Sequence, residues 1–312
     1  MTYIFLILGF IILIKGADYL IDSASKIATL LGVSPFIIGI SIVAFGTSAP
    51  EAAVGVLSSL RDSNEIILGT IIGSSIANIA LVIGTISIIL PTKITKDITR
   101  KELPISFVVQ FILALMIIYN LELSRIDGAI LITLFLVFLF YISRASSRKI
   151  SNQQDEIHCN KKLSKSEFIK SLILFLIGIT GLFIGGEIVV DNSIAIATKL
   201  GVSQTVIGLS IVALGTSLPE LATSLLAIKK KESNIAIGNI IGSNIFNILL
   251  VLGLSSILLP IEILKENFID LTIMIITTLF FLTLAYTRGR ISRIVGFIML
   301  ISYFSFMLYK LI

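Results

Sequence analysis

GISIVAFGTSAPEAAVGVLSSLRDSNEIILGTIIGSSIANIALVIG (Gly39–Gly84) and GLSIVALGTSLPELATSLLAIKKKESNIAIGNIIGSNIFNILLVLG (Gly208–Gly253) align without a gap at an offset of 169 residues. About half of the positions are identical, more than shared apolar composition supplies, and self-similarity of this kind marks a duplicated unit. The match extends backward, pairing Asp18 with Glu187, Asp22 with Asp191, and Gly32-Val33-Ser34 with Gly201-Val202-Ser203.

The solvent of both copies is legible in the composition. Of 312 residues, 56% are hydrophobic and 14% charged, with a mean hydropathy of +1.06. A soluble domain carries about a quarter charged residues, so this chain belongs in lipid. That excludes a cytosolic enzyme, a nucleic-acid binder and a secreted protein. Apolar runs predict ten spans, at 2–22, 35–60, 66–90, 103–120, 126–143, 168–190, 204–228, 235–259, 268–286 and 291–310. Met1 to Leu20 lacks a basic leader and a small-residue cleavage site, so it reads as the first span. Each copy then holds five spans, an odd number, and the second must enter the membrane upside down. The expected fold is an all-α membrane protein of ten transmembrane helices in two inverted-topology five-helix repeats. The units run over 1–143 and 168–312, joined by a polar cytoplasmic linker at 144–167.

The net charge of +5 is unevenly placed. Loops after odd-numbered spans collect Lys26, Lys93, Lys96, Arg100, Lys101, a run from Arg144 to Lys170, Lys229 to Lys231, Arg288, Arg290 and Arg293. The other side receives Arg61, Arg125, Lys199, Lys265 and Lys310. Cytoplasmic loops are the basic ones, so both termini are expected outside the cytoplasm of a multi-pass cell-membrane protein. The positives spread over five loops, which points to topology and not to a nucleic-acid patch. The single histidine and single cysteine, His158 and Cys159, are too few for a zinc site and read as solvated linker residues. No phosphate-binding loop or hydrolase nucleophile elbow occurs, which argues against ATP-driven pumping.

Each copy interrupts a span with Gly-Thr-Ser-x-Pro-Glu, at Gly46–Glu51 and Gly215–Glu220. Pro50 and Pro219 are expected to break their helices and free the carbonyls near Gly46 and Gly215. Freed carbonyls in hydrocarbon are costly unless they line a cavity or bind something. Thr47 and Glu51 are four apart, as are Thr216 and Glu220, and they face one way on a helix. The next span of each copy offers Ser74 with Asn78 and Ser243 with Asn247, among Gly69, Gly73, Gly238 and Gly242, which are expected to permit close helix approach. Intramembrane carboxylates are functional by default. Two of them among hydroxyl, amide and carbonyl oxygens make a hard-cation cage suited to Ca²⁺ or Na⁺. The competing reading is that Ser, Thr and Asn only stitch helices together; it fails for two glutamates repeated in register. Asp18, Asp22, Glu187 and Asp191, near span ends, are expected to be solvated or gate-lining.

At AFGTSAPE (44–51) with GTIIGSSIAN (69–78), and ALGTSLPE (213–220) with GNIIGSNIFN (238–247), the chain resembles the cation/Ca²⁺ exchanger superfamily, in particular prokaryotic sodium/calcium exchangers. The resemblance covers nearly the whole chain. It implies an antiporter that moves Na⁺ against Ca²⁺ by alternating access, about three Na⁺ per Ca²⁺, and not an enzyme. Four adjacent cation sites are implied. Glu51 and Glu220 would be central ligands, and Thr47 and Thr216 would give carbonyls and hydroxyls. Ser48, Ser74, Ser217 and Ser243 would serve flanking Na⁺ sites with the carbonyls of Ala44 and Ala213. Asn78 and Asn247 would line the centre. Spans one and six would slide as a pair. No cofactor or protein partner is implied beyond the transported Ca²⁺ and Na⁺ and the lipid bilayer. Some relatives, including potassium-dependent ones, carry Asp where this chain has Asn247, which weakens the case for K⁺ co-transport. An H⁺/Ca²⁺ (or other divalent cation) antiporter is the nearest rival reading; a passive cation channel and an intramembrane hydrolase stand further off.

Overall fold

Long runs of Ile, Leu and Val can satisfy their backbone hydrogen bonds in a waterless medium only as helices or closed barrels, and this chain takes the helical solution. The computed structural model describes residues 2–60, 65–153, 165–201 and 213–311. Its helices are α1 (Thr2–Leu31), α2 (Pro35–Thr47), α3 (Ala49–Leu60), α4 (Ile67–Ile89), α5 (Ile98–Tyr119), α6 (Arg125–Gln153), α7 (Lys165–Lys199), α8 (Ala213–Thr216), α9 (Leu218–Lys229), α10 (Ser233–Leu258), α11 (Lys265–Arg288) and α12 (Arg293–Leu311). Four two-residue strands lie in the connections: β1 (Thr92–Lys93), β2 (Glu122–Leu123), β3 (Ile261–Glu262) and β4 (Arg290–Ile291).

Among the described residues eight helices are long and apolar enough to cross a membrane, or nine if α2 and α3 count as one bent span. Residues 204–212 of the span expected at 204–228 lie outside the described residues, as do Arg61, His158 and Cys159. The chain is an all-helical membrane protein. Large apolar side chains such as Tyr3, Ile4, Ile7 and Ile11 of α1 point outward, which is the arrangement a hydrocarbon solvent stabilises. The core is built around α4 and α10, most of whose residues are buried.

Several helices outrun their apolar stretches. α1 continues to Leu31 and α7 spans Lys165–Lys199, because Asp, Ser and Lys past the greasy segment extend the helix into the polar region. Both end on a glycine in the left-handed region, Gly32 (φ 65°) and Gly201 (φ 78°), where a side chain is strained. Helix α6 runs on to Gln153, so the stretch expected to be linker from 144 begins as helix.

Two features organise the packing. First, α1 and α7 meet backbone to backbone along a glycine seam. A Cβ on Gly16 would stand 2.6 Å from the Leu182 nitrogen, one on Gly178 2.7 Å from the Leu20 nitrogen, and one on Gly185 2.5 Å from the Leu13 nitrogen. Small residues at such crossings let helices associate without a hydrophobic driving force. Gly185→Val should therefore destabilise the protein by about 1–3 kcal/mol, the usual cost of overpacking, seen as a lower thermal midpoint in detergent. Gly186→Ala on the same helix meets nothing closer than 3.8 Å and should be neutral. Second, β1 pairs with β4 (Thr92 opposite Ile291, Lys93 opposite Arg290) and β2 pairs with β3 (Glu122 opposite Glu262, Leu123 opposite Ile261). Each clasp joins a connection from the first half of the chain to one from the second.

Candidate cation cage between the broken helices

The interruptions fall at Ser48 and Ser217, two residues before each proline. Ser48 (φ −88°, ψ 3°) and Ser217 (φ −91°, ψ 1°) leave helical geometry, and α2 and α3 diverge by 44°. Pro50 and Pro219 sit in the first turn of the half-helices α3 and α9, where a missing N–H costs nothing. The expectation of a break at the proline is corrected accordingly: each proline starts a new helix. Glu51 and Glu220 thus lie in the first turns of α3 and α9, where the positive end of the helix dipole favours a carboxylate.

Each central helix carries a π-helical stretch beside its asparagine, at Ala77–Ile83 in α4 and Asn247–Leu252 in α10. Such wide turns favour functional sites because they re-aim side chains. The approach of α10 to α2 is set by Gly238 and Gly242, whose Cβ atoms would stand 2.7 Å from the Phe36 carbonyl and 2.6 Å from the Ile40 carbonyl. Gly69 and Gly73 were expected to do the same in α4; the positions of the second copy that match Phe36 and Ile40, Thr205 and Leu209, lie outside the described residues. Among the described residues, Gly69 meets the Asn267 amide at 4.0 Å and Gly73 meets nothing within 4 Å.

The close approach weaves the two halves together. The Thr47 hydroxyl lies 3.0 Å from Asn239 Oδ1 and 3.3 Å from the Ser243 hydroxyl, and it also reaches the Ala44 carbonyl at 3.3 Å. Ser243 donates to Glu220 Oε1 at 3.4 Å. Thr47 and Ser48 of the first half also lie beside Glu220, and Ser74 lies beside Glu51. The two carboxylates are near enough to repel each other. Asn78 Nδ2 donates to Asn244 Oδ1 at 3.0 Å, and Asn247 Nδ2 reaches the Ser74 hydroxyl at 3.5 Å. Thr47, expected to face the same way as Glu51 on a helix, turns its hydroxyl to α10.

Glu51, Glu220, Asn78, Asn247, Thr47, Ser48, Ser74, Ser217 and Ser243 are all buried, as is Ala44. Thr216 is half-buried, and Ala213 opens α8. Ser48 Oγ, both Glu51 oxygens, Asn78 Oδ1, Ser217 Oγ, Glu220 Oε2 and Asn247 Oδ1 have no hydrogen-bond partner among the described residues. All seven are oxygens. Buried polar atoms are normally paired, and an unpaired buried carboxylate is costly. A cluster of hard oxygens with lone pairs to offer fits Ca²⁺ or Na⁺.

Asn239 and Asn244 escaped the reading of the sequence, although both stand in GNIIGSNIFN. Their counterparts in the first copy are Thr70 and Ser75, so attention to what the copies share passes over them. Of the outer acids, Asp18 and Asp22 pair with Lys230, while Glu187 and Asp191 are exposed on α7.

Comparison with known proteins agrees with this architecture. A family model described as "Sodium/calcium exchanger protein" matches residues 1–144 and 170–312. The inner membrane protein YrbG of Escherichia coli is 34% identical over 288 residues, covering 91% of this chain and 88% of that protein. The sodium/calcium exchanger MaX1 of Methanosarcina acetivorans is 31% identical over 344 residues, covering 98% and 97%. A solved structure of the sodium-calcium exchanger NCX_Mj, soaked with 2.5 mM Na⁺ and 1 mM Sr²⁺, superposes with a TM-score of 0.85 at 30% identity, covering 98% of this chain and 97% of that one. The chain belongs to the sodium/calcium exchanger protein family.

Proposed function

We propose that the protein is a secondary antiporter that exchanges Na⁺ for Ca²⁺ by alternating access, and that the cage is its transport site. The observation that carries this reading is the cluster of unpartnered buried oxygens around Glu51 and Glu220. Glu51 and Glu220 are the proposed central ligands. Thr47, Thr216, Ser48, Ser217, Ser74, Ser243, Asn78 and Asn247 complete the side-chain set, with the carbonyls of Ala44 and Ala213. Similarity to the sodium/calcium exchangers MaX1 and NCX_Mj supports the choice of ions.

The proposed architecture has ten spans in two inverted five-helix units, 1–143 and 168–312, joined by a cytoplasmic linker at 144–167, with both termini extracytoplasmic. Supporting it, β1 and β3 are separated by the same 169 residues as the repeats, and their partners, β4 and β2, lie in corresponding connections. The basic residues of the odd-numbered loops support the orientation.

Two carboxylates give the full cage a charge that one Ca²⁺ neutralises. An empty, doubly negative cage is too costly to carry through a dry intermediate, so exchange is coupled. With about three Na⁺ per Ca²⁺, one net positive charge moves inward, which gains about 2.3 kcal/mol per 100 mV of inside-negative potential. Purified protein in vesicles loaded with Na⁺ should take up Ca²⁺ at least tenfold faster than in vesicles loaded with choline at the same clamped pH. Equal uptake in the two would refute Na⁺ coupling; uptake that follows an imposed pH gradient instead would establish proton exchange.

A further inference from the structure

Outside the cage, a strong polar junction joins elements far apart in the chain. The turn that links α9 to α10 carries Lys230, whose ammonium reaches Asp18 Oδ1 at 2.6 Å, Asp22 Oδ1 at 2.7 Å and the Asp18 carbonyl at 3.1 Å. Two residues on, Glu232 accepts a 2.6 Å hydrogen bond from the Ser25 hydroxyl. Asp18, Asp22 and Ser25 all lie on α1, one and two turns apart on a single face. The turn is therefore fastened to α1 by a cation held between two anions and by a second bond of opposite polarity beside it.

The location gives the junction a role. The family resemblance implies that spans one and six, α1 and α7, slide as a pair, and the glycine seam joins them; α9 and α10 carry Glu220, Ser243 and Asn247 of the cage. Lys230 therefore bonds a moving element to a fixed one, on the face of the odd-numbered loops. The strength suits that role. Lys230 and Asp18 are partly exposed, and Asp22 is 56% exposed; ion pairs open to water are individually weak. A buried pair would resist opening on every cycle, whereas a wetted one holds a state and still releases it.

We propose that Lys230 is a positioning residue of the exchange cycle: by gripping Asp18 and Asp22 of α1 it holds the odd-loop face closed while the cage opens to the opposite face. The proposal rests on the alternating-access reading. Removing the grip shifts the population toward the state open on the odd-loop face. Apparent affinity falls in proportion to the competent fraction, so ions presented to the even-loop face bind more weakly and ions presented to the odd-loop face more tightly. Lys230 touches none of the proposed ligands, and the coupling ratio stays unchanged.

Two readouts test this, and the first does not depend on transport. In a Cys159→Ser background, spin labels at the exposed positions of Lys26→Cys on α1 and Lys231→Cys on the turn should give one short, narrow distance distribution. Lys230→Gln should add a longer population of at least a quarter of the molecules, as should Asp18→Asn/Asp22→Asn if the first variant folds poorly; Lys230→Arg should keep the narrow distribution. In oriented vesicles, Lys230→Gln should raise the half-saturating Ca²⁺ at the even-loop face at least threefold and lower it at the odd-loop face. A distance distribution unchanged by both neutralising variants, or half-saturation constants that move together, overturns the latch. Absence of counter-ion-dependent exchange in the parent protein would instead overturn the transport reading, with the distance measurement still deciding whether Lys230 holds α1.

Discussion

Replacing Glu51 or Glu220 by Gln should reduce Ca²⁺ exchange by at least a hundredfold while leaving the protein folded and monodisperse. Both carboxylates are buried, and three of their four oxygens accept no hydrogen bond from a described residue. Gln has the same shape, so packing survives, but the cage loses half its charge. With Ca²⁺ bound it then carries an uncompensated positive charge through the membrane interior. A charge at the bilayer centre costs about 2.5–3.5 kcal/mol even on the lenient insertion scale, or roughly two orders of magnitude in rate. The check is isotope exchange in vesicles together with thermal unfolding in detergent. Saturating Ca²⁺ should raise the unfolding midpoint of the parent protein, since a ligand at a hundred times its Kd contributes about 2.7 kcal/mol, and should not raise that of either variant. Retained exchange in either variant would remove that glutamate from the site.

Asn247→Asp should produce an effect of similar size with opposite sign of charge. Asn247 is buried at the start of the π-helical stretch of α10, with its Oδ1 unpartnered and its Nδ2 directed at Ser74. A carboxylate there would leave one Ca²⁺ a charge short of neutralising the cage. Ca²⁺/Ca²⁺ isotope exchange should fall about a hundredfold at neutral pH by the same charge argument. Lowering the pH protonates the added carboxyl and should restore part of the rate, whereas the parent protein gains no such rescue. An Asn247→Asp protein that exchanges Ca²⁺ at the parental rate at neutral pH would show that Asn247 does not face the ions.

The duplicated signature carries most of what these predictions need. Glu51 and Glu220 stand out in the sequence because a carboxylate inside an apolar run has no bland explanation, and twice in register it has less. Two kinds of information were hidden. The first is asymmetry: Asn239 and Asn244, which meet Thr47 and Asn78, occupy positions where the copies differ. The second is distance along the chain. Lys230 and Asp18 are separated by 212 residues, and no local pattern announces that a lysine in one turn completes an acidic face on another helix. Local rules also misplaced the helix break. Proline disfavours a helix interior but starts a new helix readily, so the backbone yields at the serines, where the bridge conformation is accessible.

The two short clasps restrict the kinematics of the whole molecule. Each stitches a connection from one half of the chain to a connection from the other, β1 to β4 and β2 to β3. Two rigid halves sewn together at two seams have no free axis about which to rock. The remaining freedom belongs to helices that border neither seam in the chain, and α1 and α7 are among them. For the antiporter proposed above, such stitching favours a slide in a fixed frame over a pair of jaws.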